Sequence, residues 1–213
     1  MRTLVVASAK GGVGKTTLAT ALAVEAAKTK RVAVIDLDPQ QSAARFLDLR
    51  DMANPRLVTH VADLAEALDL LVDDGVDLVA IDTAPASLSN LVPAVAAADL
   101  VLVPVRPSPL DVEASDVMVE LIRKSGRPFA FVINGASPGS VLVEGTREML
   151  AEHGPVLAAT ITHTDVHPIA MIRGRTAAEI DKSGLCAREL STLWSEVSER
   201  LAPLKAKPKR GRT

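Results

Sequence analysis

Tyrosine is absent from this chain, and its aromatics are three phenylalanines and one tryptophan. Its core must therefore be built from alanine, valine, leucine and isoleucine. A single cysteine, Cys186, excludes an internal disulfide and a zinc cluster, and reads as a small buried apolar residue. Neither sign of charge dominates: 24 Lys and Arg face 26 Asp and Glu, so the molecule as a whole is not a basic coat for nucleic acid. No apolar run approaches the roughly 18 residues of a membrane span. The N-terminus enters a strand-like segment directly, without the pattern of a signal peptide. These absences predict a soluble, cytoplasmic protein. No G-x-S-x-G elbow points to a protease or esterase. What is present is 213 residues, 48% of them apolar, enough for one domain with a sizeable core or at most two small ones.

Apolar runs of strand length recur at 4–8, 32–35, 57–61, 78–81, 100–105, 129–133 and 156–161. Stretches with helical spacing lie between them, at 18–28, 42–50, 64–72, 112–124 and 141–152. Near-continuous apolar strands alternating with helices predict an α/β fold, a mostly parallel sheet of about seven strands with helices on both faces. A last helix would place Leu190, Leu193, Trp194, Val197 and Leu201 on one stripe, which reads as packing onto the sheet.

The chain is organised around Lys10-Gly11-Gly12-Val13-Gly14-Lys15-Thr16-Thr17, set between the first strand and the first helix. Strand, glycine-rich loop and helix form the setting of a phosphate-binding loop. Glycines let backbone approach phosphate oxygens, and the loop amides and helix N-terminus point at the anion. Lys15 would lie against the β- and γ-phosphates of a nucleotide, and the Thr16 hydroxyl would reach Mg²⁺. The usual pattern has a glycine five residues before Gly14; here that residue is Ala9, and a second lysine, Lys10, precedes Gly11.

Carboxylates follow at two further strand ends. Val34-Ile35-Asp36-Leu37-Asp38-Pro39-Gln40 places Asp36 and Asp38 where α/β sheets bind ligands, although such a pair also serves as a helix cap or a turn. Leu78-Val79-Ala80-Ile81-Asp82 reads as a Walker B strand. Asn134, after Val132-Ile133, carries the donor and acceptor needed to read an adenine edge, or is a turn former before Gly135. The proline-rich loop at 104–109 should be stiff. Asp111 after it belongs to that loop or caps a helix. His163 and His167 flank Asp165, but Pro168 and the threonines argue for a loop and against helical metal-ligand spacing.

The KGGVGKTT loop, the DLDPQ run and the DTAP run at 82–85 together resemble the ParA/MinD family of deviant Walker A ATPases. The small, ParF-like branch, which lacks an N-terminal helix-turn-helix domain, is resembled in the Gly174-Arg175-Thr176-x-x-Glu179 pattern. The resemblance spans most of the chain, from Leu4 to about Leu201. It implies one P-loop ATPase domain over residues 1–204; the stretch 205–213, basic and without an acid, reads as a disordered tail. It implies ATP and Mg²⁺ as cofactors, with Asp36 supporting the metal shell, Asp38 orienting the attacking water and Asp82 holding Mg²⁺ through water. Gln40 and Gln41 would belong to one nucleotide-sensing switch and Thr83-Ala84-Pro85 to a second. Lys10 would cross to the partner's phosphates in an ATP-sandwich homodimer, acting as an arginine finger does.

A ParA-type protein would bind non-specific DNA in its ATP state, and a ParB-like or other partner on the cargo would stimulate hydrolysis. Cargo could be a plasmid, a chromosome or a large protein cluster, and the protein would associate with the nucleoid. Candidate DNA contacts are Arg173, Arg175, Lys182, Arg188 and the basic tail. The main alternative, a MinD-like membrane-associated ATPase, would need an amphipathic terminal helix with bulky apolar residues among basic ones, and the stretch after Leu204 holds no large apolar residue. One cysteine excludes an iron protein of the nitrogenase kind, and a dethiobiotin-type synthase does not need Lys10.

Overall fold

The structure, a computed structural model, describes residues 1–59, 61–85 and 88–202, the side chains of 88–90 excepted. Seven parallel strands lie in the order β3-β2-β4-β1-β5-β6-β7. They are β1 (Arg2–Val6), β2 (Val32–Asp36), β3 (Arg56–Val58), β4 (Leu78–Asp82), β5 (Leu100–Val105), β6 (Phe129–Ala136) and β7 (Val156–Thr162).

Successive strand residues point to opposite faces, so each face gathers its own apolar layer. Leu4, Val34, Leu102 and Val132 face α1 (Lys15–Ala27), α2 (Ser42–Arg50), α9 (Ala177–Ile180) and α10 (Leu185–Leu201). Val5, Ile35, Val103 and Phe131 face α3 (Leu64–Asp73), α4 (Leu88–Ala97), α5 (Pro109–Glu113), α6 (Asp116–Ser125) and α7 (Leu142–His153). The remaining helix, α8 (Val166–Met171), follows β7. Helix α1 is buried nearly all round, which its run of alanines allows by letting the helix come close to the sheet. The stripe on α10 packs into the same layer, as its periodicity predicts.

Edge strand β7 is not left open. Glu196 on α10 accepts hydrogen bonds from the amides of Ala158 (2.8 Å) and Ala159 (2.7 Å), and Glu189 accepts from that of Thr162 (3.0 Å). These carboxylates occupy the donors that another strand would use.

Several boundaries differ from the sequence reading. The helix expected at 112–124 is two, α5 and α6. Pro109 starts α5 early, since a first-turn proline loses no helical bond. The buried Ser115 hydroxyl then donates to the Val112 carbonyl (2.6 Å) at the break. Asp111 is consequently inside α5 and is not its cap. Strand β6 continues past Asn134 to Ala136 with Gly135 at φ 70°, so Asn134 does not end it. The stretch expected as a loop around His167 is helix α8, because Pro168 falls in its first turn, where proline is tolerated. The third strand shrinks to three residues. Lys205–Thr213 lies outside the described residues.

Candidate functional site

Strand register assembles the site. Asp36 ends β2 directly beside Asp82 at the end of β4, and Asp82 pairs in turn with Val6 of β1, whose chain continues into the glycine loop. Three stretches far apart in sequence thus meet at the carboxyl edge of the sheet.

The loop is shaped by glycines in the left-handed region, Gly12 at φ 73° and Gly14 at φ 88°. Gly14 is the N-cap of α1 and offers no side chain, and the first turn of the helix holds no acidic residue. A Cβ on Gly14 would fall 2.3 Å from Asn134 Nδ2. Asn134 donates to the Val13 carbonyl (2.6 Å), which places it against the loop. Lys15 is buried, with Nζ donating to the Lys10 carbonyl (3.2 Å). Burial lowers its pKa, against the opposing pull of Asp82 and Asp38.

The acids differ in their partners. Asp36 accepts from the Asp38 amide (3.0 Å) and, with its other oxygen, from the Ala44 amide (2.9 Å), so it ties the acid loop to α2. Asp38 accepts from the Gln40 amide (2.9 Å). Asp82 is fully buried: one oxygen accepts from the Thr83 amide (3.1 Å) and Oδ2 has no partner. Burial raises its pKa to about 7; the Thr16 hydroxyl and Lys15 pull it down, while Asp36 and Asp38 push it up.

An uncapped helix start, two left-handed glycines and an orphaned buried carboxylate oxygen fit a nucleotide phosphate with a hard cation. Among the described residues no three His, Cys, Asp or Glu side chains converge into a metal cage. Mg²⁺ held through waters and the nucleotide's own phosphates does not require one. Thr16, Asp36 and Asp82 are the groups that would hold it, and the cation would neutralise charge on the phosphates. Gly11 to Thr17 would form the phosphate cradle, and Lys15 would set its ammonium against the phosphates.

Lys10 is not turned into this cradle. Its ammonium is paired with the carboxylate of Asp111 in α5, and Arg106 Nε holds the other oxygen (3.0 Å). Burial would raise the Asp111 carboxyl, but the hydrogen bonds from Lys10 and Arg106 outweigh it and hold the pKa below the usual carboxylate range.

Residues 4–183 match the family described as the CobQ/CobB/MinD/ParA nucleotide binding domain. The chain belongs to that family. It is 32% identical over 216 residues to the maintenance of carboxysome distribution protein A of Gloeobacter kilaueensis, covering 94% of each chain. The fold is shared with the cell division protein MinD of Aquifex aeolicus (TM-score 0.78, 19% identity, 99% and 100% of the two chains). It is also shared with the ATP complex of a McdA variant from Cyanothece (TM-score 0.74, 20% identity, 98% and 99%). The chain is accordingly a P-loop ATPase of the ParA/MinD positioning type.

The remaining candidates sit elsewhere. Arg173, Arg175, Lys182 and Arg188 are all exposed, beyond β7. Arg188 also donates to the Ser183 carbonyl (2.9 Å). The rest of the Gly-Arg-Thr-x-x-Glu pattern has a structural role. Thr176 and Glu179 form a capping box on α9, and Gly174 packs on the backbone of α2 so closely that a Cβ would lie 2.3 Å from the Arg50 amide. Sequence reasoning missed Arg106 and Arg50. No local pattern marks either: Arg50 finds its partner Glu179 at a separation of 129 residues. His167 lies in α8 with Nε2 unpartnered; burial lowers its pKa, Glu189 raises it and His163 lowers it.

Proposed function

We propose that this chain binds Mg–ATP, closes into a nucleotide-sandwich homodimer, binds DNA without reading its sequence, and positions a large cargo whose partner protein stimulates hydrolysis. The observation that carries this reading is Lys10, a second lysine on the rim of the phosphate loop, paired with Asp111 instead of facing its own loop. A self-contained loop needs only Lys15; a lysine held off its own cradle by Asp111 is free to exchange that partner for a second subunit's phosphates. Asp38, half-buried beside the acid pair, aligns the attacking water. Asn134 contributes to base recognition.

Similarity over nearly the whole length to a protein named for carboxysome distribution favours a protein assembly as the cargo. Arg173, Arg175, Lys182 and Arg188 are exposed, as DNA contacts must be, and doubling them in a dimer multiplies weak phosphate contacts. Among the described residues no helix is long and apolar enough to cross a membrane.

The test is retention of the protein, with ADP or with ATP, on random-sequence duplex DNA and on anionic liposomes. The expected result is ATP-dependent retention on DNA that falls steeply with salt. Changing Arg173 and Arg175 together to Glu should abolish it and leave ATP-dependent dimerisation intact. Retention on liposomes alone would replace this reading with a MinD-like one.

A further inference from the structure

Helix α2 is fastened at both ends, and its two fastenings belong to different sites. At its start, Asp36 accepts from the Ala44 amide while its other oxygen holds the Asp38 amide. The helix therefore follows the acid loop of the nucleotide site. At its end, the Arg50 guanidinium, 5% exposed, grips Glu179 with two prongs (Nη1–Oε2 2.7 Å, Nη2–Oε1 2.8 Å), and Nη1 also reaches the Gly174 carbonyl (3.2 Å). Gly174 lies against the Leu49 and Arg50 backbone with no room for a Cβ, so the turn carrying Arg173 and Arg175 rests directly on this helix end.

Glu179 is itself fixed by the capping box with Thr176. Burial would raise its carboxyl; the hydrogen bonds from Arg50 and Thr176 outweigh that and lower it. The helix is also flanked by the two non-glycine residues in left-handed backbone among those described, Gln41 (φ 52°) at its N-cap and Asp51 (φ 48°) at its C-cap. Strained backbone of this kind persists where surroundings enforce it and is drawn to segments that switch.

We propose that Arg50 and Glu179 are a positioning pair that links the nucleotide site to the Arg173–Arg175 turn, with α2 as the rigid rod between them. A shift of the 36–41 segment moves Ala44 through Asp36 and, because a nine-residue helix does not compress, displaces Arg50. Arg50 cannot leave Glu179 without stranding a buried charge, so the turn follows. The coupling is reciprocal: whatever binds the turn biases the nucleotide site equally. That the turn's ligand is DNA rests on the function proposed above; the mechanical link does not.

Hydrogen–deuterium exchange of the full chain, nucleotide-free and with Mg–AMPPNP, tests this at residues 42–50 and 172–180. In the unaltered protein both segments should change protection together, by about fivefold or more, the size typical of coupled sites. In Arg50→Gln the 42–50 response should remain and the 172–180 response should vanish. Arg50→Lys, which keeps charge but loses the fork, should retain part of it, and carries the test if Arg50→Gln does not fold. Equal responses of 172–180 in the unaltered protein and in Arg50→Gln would overturn the proposal. So would an unaltered protein whose 172–180 segment ignores nucleotide, whatever the variants do. A parallel arm measures retention on random-sequence duplex DNA. Coupled protection without DNA retention supports the link and removes the DNA reading; DNA retention without coupled protection overturns the link and leaves the DNA reading standing.

Discussion

Two helix starts in this molecule carry threonines and have opposite designs. Helix α9 satisfies itself: Thr176 accepts from the Glu179 amide (3.3 Å), and Glu179 accepts from the Thr176 amide (2.8 Å). Helix α1 does not. Its cap is Gly14, its first turn has no acid, and Thr16 and Thr17 stand inside the helix, where they do not cap it. A helix start with its own oxygen acceptor has no use for an external anion; one that lacks it leaves its amides and dipole to a ligand. The contrast separates a stability device from a binding device, and it can be broken from either side.

The largest effect is expected from Gly14→Ala. It forces a side chain into φ 88° and against Asn134, and should lower nucleotide affinity by more than about 100-fold, or about 2.7 kcal/mol, in a titration with a fluorescent ATP analogue. Lys10→Ala should leave that affinity nearly unchanged, because Lys15 and the loop amides remain, and should reduce partner-stimulated turnover by about 10- to 1000-fold, a loss in trans charge stabilisation. Unchanged stimulated turnover would refute a role across the dimer.

Asp82 lies between the two designs, since its orphan oxygen costs stability in the nucleotide-free protein and a cation there would offset that cost. Its pKa is raised from 3.8 to about 7, so between those values the folded state binds more protons than the unfolded one. Stability of the nucleotide-free protein should therefore fall as pH rises from about 4 to about 7 through this group, the reverse of a salt-bridged carboxylate. Asp82→Asn should flatten that dependence and raise stability at pH 8 by about 2 kcal/mol, a discounted share of the roughly 4 kcal/mol that three pKa units represent. It should also weaken Mg²⁺-dependent nucleotide binding. Urea titrations at pH 5 and pH 8 check this. Thr176→Ala is the smallest change: about 1 kcal/mol of stability lost with the cap, by thermal melting, and nucleotide affinity untouched. A large loss of affinity there would mean that the cap of α9, beyond the Arg50–Glu179 clasp, acts on the nucleotide site.

Legibility followed the same division. The phosphate loop was readable because its chemistry is local: glycines, a lysine and a threonine within eight residues, between a strand and a helix. The acids at 36 and 82 stood out because each ends an apolar run, and Asp38 because it lies two residues past Asp36. The pairing of Lys10 with Asp111 was not, because a sequence separation of 101 carries no signal of contact. Nor was the clasp of Arg50 on Glu179. The Gly174-to-Glu179 pattern stood out in the sequence, but its glycine, threonine and glutamate serve packing and capping, and the function proposed for its arginines is separate. The break between α5 and α6 was hidden because helical spacing runs across Ser115, whose buried hydroxyl acts on a backbone carbonyl and leaves the apolar period intact.

By itself, the order of residues determined the parallel α/β class, the family, and the groups able to hold a phosphate, because periodicity and loop chemistry act over a few residues. Only the tertiary structure decided that β4 lies between β1 and β2, which sets Asp82 beside Asp36 and the loop. It alone decided which acid keeps an unpartnered oxygen, where Lys10 rests, and which helix touches both the acid loop and the basic turn. Those outcomes depend on strand order and register, and on the burial that follows from them: a carboxylate has no pKa of about 7, and an arginine no obligatory partner, until the chain has closed around it.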